Sequence, residues 1–133
     1  MREVSILFGA ARLTLRVPMH ADILTGPDIP SLEDPQDAVL AALRQPIGSE
    51  PLRALAEMRR PASVVITMSD ITRPVPNELL ITAILSELNA AGVADEACTI
   101  LIATGMHRPS TQKEREIMLG KDLLRRCRVV DHE

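Results

Sequence analysis

Two short polar stretches gather the residue types in this chain that could do chemistry. They are Ser69-Asp70-Ile71-Thr72-Arg73-Pro74 and Thr104-Gly105-Met106-His107-Arg108-Pro109. They align at an offset of 35 residues, 69 onto 104, so that hydroxyl falls on hydroxyl, arginine on arginine and proline on proline. Arg73 and Arg108 each offer a planar fork of donors suited to a carboxylate or a phosphate. His107 is the one group there of a type that changes charge near neutral pH, as a general base must. Asp70 could orient a cation or a histidine. A blander reading competes: an Arg-Pro pair ahead of a helix can be plain loop chemistry, with the arginine paired to a local acid. The recurrence of the pattern, with histidine in one copy and aspartate in the other, favours a site. His132 stands at the end of a strand on the same side and is a weaker candidate, whereas His20 lies in a proline-rich connector and reads as solvated.

The elements around these stretches must position them. Residues 3–17 read as two short strands about Gly9-Ala10, the second alternating Leu13, Leu15 and Val17 with Thr14 and Arg16 as a half-buried strand does. Residues 18–34 hold Pro18, Gly26, Pro27 and Pro30 and read as a connector. Asp34-Pro35 starts a helix, Pro46 and Gly48 break it, and Ser49 starts a second one that stops before Pro61. From there the pattern is strand, loop, helix, repeated. Buried apolar strands are expected at 62–68, 98–103 and 127–132, in the same register before each polar loop. Helices lie between them. One runs through Leu79, Leu80, Ile84, Leu85 and Leu88 to Gly92. The other starts at a capping box of Thr111 and Glu114 and ends at Gly120. Met58, Met68 and Met118 read as core filler. Continuous apolar strands alternating with amphipathic helices predict an α/β fold, a β-hairpin followed by β-loop-α units in a mainly parallel, Rossmann-like sheet. Ligands in such sheets bind beyond the carboxyl ends of the strands, where both polar loops fall, and the helix N-termini favour anions there.

SDITRPVP (69–76) and ATGMHRPST (103–111) resemble the two most characteristic N-terminal motifs of the nickel-pincer lactate racemase (2-hydroxyacid racemase/epimerase) family. ALRQPIGSEPLRALA (42–56), LNAAGVADEACTILIATG (88–105) and RVVDHE (128–133) are similar to the same family, so the resemblance covers almost the whole chain. It implies an isomerase that uses a nickel pincer nucleotide, pyridinium-3,5-bisthiocarboxylic acid mononucleotide holding nickel, and a small 2-hydroxy acid as substrate. A histidine takes the substrate hydroxyl proton while the Cα hydride moves to the cofactor and back on either face. By the same resemblance His107 corresponds to the first of two catalytic histidines. Arg73 lies near cofactor and substrate, Asp70 and Thr72 belong to the cofactor-contacting loop, and Arg108 is a substrate-binding candidate. The second histidine, the cofactor-attaching lysine and the nickel-ligating histidine of the family lie later than Glu133. Residues 1–133 are therefore expected to be a truncated N-terminal part of the family's N-terminal domain, lacking the second domain, inactive alone and without a metal ligand set of its own. Two other functions compete: a carboxylate- or phosphate-binding module without chemistry, and an assembly role through the last strand.

Composition narrows the rest. The chain has 133 residues, 46% apolar and 25% charged, ordinary for one globular domain, with a net charge of −3. Phe8 is the only aromatic residue, so no base-stacking platform exists and nucleic acid is not expected. No apolar run approaches ~18 residues and the N-terminus lacks the long apolar stretch of a signal peptide, so a cytoplasmic protein without a membrane span is expected. Cys98 and Cys127 read as buried free thiols. Neither a dinucleotide fingerprint nor a phosphate-binding glycine loop nor a nucleophile elbow is present.

Overall fold

The computed structural model describes residues 1–9 and 11–132. The chain divides into two units, Met1–Ser31 and the residues from Leu32 onward.

The first unit is an antiparallel hairpin of β1 (Arg2–Phe8) and β2 (Ala11–Val17), followed by an irregular connector. Gly9, at φ 59°, takes the left-handed conformation the turn needs, which glycine adopts without a Cβ penalty; Ala10 lies outside the described residues. Val4 faces Leu15 and Ile6 faces Leu13, so the alternation read from sequence holds. Burial does not follow it. Ile6, Phe8, Leu13 and Leu15 are exposed, because a two-stranded ribbon has no second layer of its own to cover its apolar face.

The second unit is an α/β layer. Helix α1 (Pro35–Arg44) begins where Asp34 accepts a hydrogen bond from the Asp37 N–H at 2.9 Å, as the Asp-Pro pair predicts. Helix α2 (Leu52–Arg59) starts after Pro51 without a side-chain cap; Ser49 does not start it, and its hydroxyl bonds the Glu50 carbonyl instead. Then come β3 (Val64–Ser69), α3 (Asn77–Ala90), a 3-10 turn, β4 (Cys98–Ala103), α4 (Gln112–Arg126) and β5 (Arg128–Asp131). The sheet is parallel in the order β3-β4-β5. The capping box of Thr111 and Glu114 is formed. Gly120 breaks α4 with φ 68° and ψ 167°, but helix resumes beyond it to Arg126 rather than ending there.

Ile66, Met68, Cys98, Ile100 and Ile102 of the strands pack with Ile81, Leu85, Leu88, Leu119 and Leu123 of α3 and α4. Each fully buried leucine or isoleucine contributes about 1.5–3 kcal/mol. The opposite sheet face differs from the expectation of strands buried on both sides: Val65 is 59% exposed and Thr67 is exposed. Residues i and i+2 of β3 share a face, so its β-branched run is buried at every second position only. Met58 points outward from α2 and is exposed, whereas Met68 and Met118 are core. A buried Glu87 on α3 receives Arg44 of α1, with Nε at 2.9 Å and Nη2 at 2.8 Å. Among the described residues no helix is long and apolar enough to cross a membrane.

Candidate active site

The strands β3 and β4 end side by side, and each runs into a tight turn. In the first, the Arg73 N–H bonds the Asp70 carbonyl at 3.2 Å; in the second, the His107 N–H bonds the Thr104 carbonyl at 3.0 Å. The strands pair with Val64 beside Cys98 and Ser69 beside Ala103. The backbones therefore correspond at an offset of 34, not at the 35 of the sequence alignment. Asp70 occupies the place of Thr104, and Arg73 that of His107. The second copy holds one more residue between turn and helix, which brings the Arg-Pro pairs and the helix starts back to 35. The equal strand register read from sequence is thus corrected by one residue.

Asp70 is 7% exposed. Its Oδ1 accepts the Thr72 hydroxyl at 2.6 Å and the Thr72 N–H at 3.3 Å, a local turn typical of aspartate. Its Oδ2 lies 2.5 Å from His107 Nδ1. The Thr72 hydroxyl first, then His107, hold the Asp70 carboxyl below its ordinary value, against the opposing effect of burial. An ionised carboxylate only accepts hydrogen bonds, so Nδ1 is the donor. In the neutral ring this leaves the lone pair on Nε2. The His107 side chain is 56% exposed. A buried acid thus orients a solvent-facing base.

A cleft of about 270 Å³ opens here, lined by Asp70, Ile71, Thr72, His107, Arg108, Ser110 and Glu114. A larger one of about 510 Å³, beside α3 and α4, is lined by none of the five residues named from sequence and holds no histidine. Arg108 reaches Glu114 with both terminal nitrogens, Nη1 to Oε2 at 2.9 Å and Nη2 to Oε1 at 2.7 Å, and Nη1 also bonds the Pro109 carbonyl at 3.0 Å. The Arg108 side chain first, then the backbone and hydroxyl of Thr111, draw the Glu114 carboxyl down to about 2. The local acid of the blander loop reading is therefore present for Arg108. Arg73 is exposed, does not line the smaller cleft and has no carboxylate partner among the described residues.

The structure thus brings Asp70, Thr72, His107 and Arg108 together and sets Arg73 on the same turn as Asp70, outside the cleft. His20 belongs to the first unit. His132 is exposed, but its main chain is engaged at the site: its N–H bonds the Ile102 carbonyl at 2.9 Å and its carbonyl accepts the Thr104 hydroxyl at 2.9 Å. Four residues not read as part of the site surround it. Glu114 was legible as a helix cap but not as the partner of Arg108, six residues earlier. Ser110 donates its N–H to Asp131 Oδ1 at 3.2 Å, and Arg115 pairs with Asp131 Oδ2. The only signal for Asp131 was its position at a strand's carboxyl end. Among the described residues no three His, Cys, Asp or Glu side chains cluster as a metal site would require.

The family described as "Lactate racemase N-terminal domain" matches residues 8–133. Lactate racemase of Lactiplantibacillus plantarum is 39% identical over 97 residues, which is 73% of this chain and 22% of that protein. Lactate racemase of Thermoanaerobacterium thermosaccharolyticum is 38% identical over 98 residues, 74% of this chain and 22% of that protein. The structure of the lactate racemase apoprotein from the latter organism superposes with a TM-score of 0.74 at 32% identity, covering 99% of this chain and 30% of that one. The match to the curated relatives therefore spans about a fifth of their length and about three quarters of this chain, and the match to the solved structure spans nearly all of this chain. With a parallel sheet, two equivalent turns and a family match that contains both of them, the chain belongs to the lactate racemase N-terminal domain family.

Proposed function

We propose that this chain forms one wall of the active site of a 2-hydroxyacid racemase or epimerase and carries one of its proton-transfer bases. The observation that carries the reading is the 2.5 Å contact of His107 Nδ1 with the buried Asp70 carboxylate, which leaves Nε2 facing solvent as a base. In this reading Nε2 takes the proton of the substrate hydroxyl and returns it on the reverse step. The imidazolium formed between them is stabilised by the Asp70 carboxylate beside it. Thr72 holds that carboxylate ionised and fixed. Arg73, exposed and without a carboxylate partner among the described residues, receives the substrate carboxylate or an anionic group of the cofactor. Arg108 is a further substrate contact once it exchanges Glu114 for the incoming carboxylate. The family resemblance supplies the rest. The chemistry its nickel pincer nucleotide offers is reversible acceptance of hydride from the substrate Cα. Asp70, Thr72 and Arg73 are the residues of this chain that would contact the group. A cytoplasmic location is part of the same reading.

The test is racemisation of D- and L-lactate by a protein that joins this chain to the remaining length of its relatives, loaded with cofactor. His107→Ala should lower turnover by about 10²–10⁴-fold, the worth of a positioned acid or base. Turnover within tenfold of the parent would remove His107 from the mechanism. The unengaged Arg73 also favours a second reading, an anion-binding module without chemistry. Calorimetric titration of the 133-residue chain with lactate, malate and a mononucleotide tests it; binding unchanged in Arg73→Ala would exclude it.

A further inference from the structure

We propose that Thr104 and Asp131 are positioning residues for His107, clamping both ends of its loop to the end of β5 and so fixing which imidazole nitrogen carries the proton. The proposal rests on the reading of His107 as a base that works through Nε2. Thr104 is 3% exposed at the end of β4. Its hydroxyl donates to the His132 carbonyl at 2.9 Å, and its own carbonyl accepts the His107 N–H at 3.0 Å. One residue thereby joins β5 to the turn that bears the histidine. At the other end of the loop the Ser110 N–H donates to Asp131 Oδ1 at 3.2 Å, just before α4 begins. The second Asp131 oxygen pairs with Arg115, one turn into α4, and the Asp131 side chain is buried. Neither Thr104 nor Asp131 lines the 270 Å³ cleft, so both act through the loop.

The need for clamps follows from the ring itself. More than half of the His107 side chain faces solvent, and among the described residues one hydrogen bond, to Asp70, holds the imidazole. A ring on a loose loop takes the tautomer that solvent favours, with the proton on Nε2, which is the wrong form for a base acting through that atom. The equivalent turn at 70–73 is held differently. Asp70, in the place of Thr104, bonds the Thr72 hydroxyl within its own turn. One turn is braced from inside; the other depends on β5.

The experiment is a long-range ¹H–¹⁵N correlation on the imidazoles of the 133-residue chain above their titration, with His107 assigned from His107→Gln. The parent should show His107 protonated on Nδ1. Thr104→Val, which removes the hydroxyl and keeps the shape, and Asp131→Ala should each shift it to the Nε2–H form, with the backbone amide spectrum of β3 and β4 retained. Thr104→Ser should restore the parent pattern, which a merely space-filling role for Thr104 would not require. Should one variant fail to fold, the other decides. Nδ1 protonation retained in a folded Thr104→Val or Asp131→Ala would overturn the clamps while leaving His107 a base. Nε2 protonation in the parent would instead overturn the Asp70–His107 reading.

Discussion

Gly120→Ala tests the break in α4 by the sign of its effect on stability. If residue 120 sat in ordinary helix, alanine would be the better residue by about 0.8–1 kcal/mol. At φ 68° and ψ 167°, however, Gly120 occupies a region open essentially to glycine alone. A side chain held there costs about 1–3 kcal/mol. A Cβ would also overlap Glu78 Oε1, on the neighbouring α3. That oxygen ends a flexible side chain, so the overlap is relieved by rotation and the backbone term decides. Alanine should therefore destabilise by about 1–3 kcal/mol, a fall of roughly 3–15 °C in Tm for a chain of this size. Thermal and urea unfolding by circular dichroism would measure it, for Gly120→Ala, Glu78→Ala and the double variant. Equal cost in both backgrounds assigns the effect to backbone; a smaller cost without Glu78 assigns part to the overlap. A Gly120→Ala protein as stable as its parent, or more so, would refute the break.

The acid limb of stability should depend on Glu114. Its folded value of about 2 lies below the ordinary 4.5, so its contribution is complete above about 4.5 and is lost as pH falls through about 2. Asp70 and Asp131 shift in the same direction, so Tm should fall across this window, and Glu114→Gln should make the fall shallower; an identical profile would contradict the Arg108–Glu114 pairing. Burial raises both thiols, that of Cys127 to about 11, so an aromatic disulfide reagent at pH 8 should label neither cysteine until denaturant is added. Prompt labelling of the native protein would contradict their packing. Arg44→Ala strands a buried carboxylate on Glu87, for a loss of about 1–3 kcal/mol, and an unchanged urea midpoint would show that the pair holds nothing.

The fold was legible where local patterns decide it. Asp34-Pro35 and the Thr111–Glu114 box marked helix starts, and the short apolar run CTILIA between turn signals marked a strand. The pairing of His107 with Asp70 was suggested by the repeat but needed β3 and β4 to be neighbours before it became a distance. What escaped was set by tertiary placement. The alignment at 35 was drawn to Arg-Pro pairs, yet the turn hydrogen bonds match at 34, which puts Arg73, not Thr72, in the place of His107. Nor does sequence reveal that the hydroxyl of Thr104 reaches the end of a strand 28 residues away, or that Arg108 already holds a carboxylate. The one-sided burial of β3 and the exposure of the hairpin's apolar ladder depend on which layers are present.

The strand order β3-β4-β5 follows the order of synthesis, and that has a consequence for how the site matures. A chain emerging from the ribosome completes β3, α3 and β4 with their turns first, and domains tend to fold in that direction. Asp70 and His107 can then meet while β5 is still inside the exit tunnel. The hydroxyl of Thr104 and the N–H of Ser110 have no acceptors until Asp131 and His132 emerge. On the proposed clamping, assembly of the pair and its locking are separate events in time, and the last few residues made in this stretch are the ones that set the histidine.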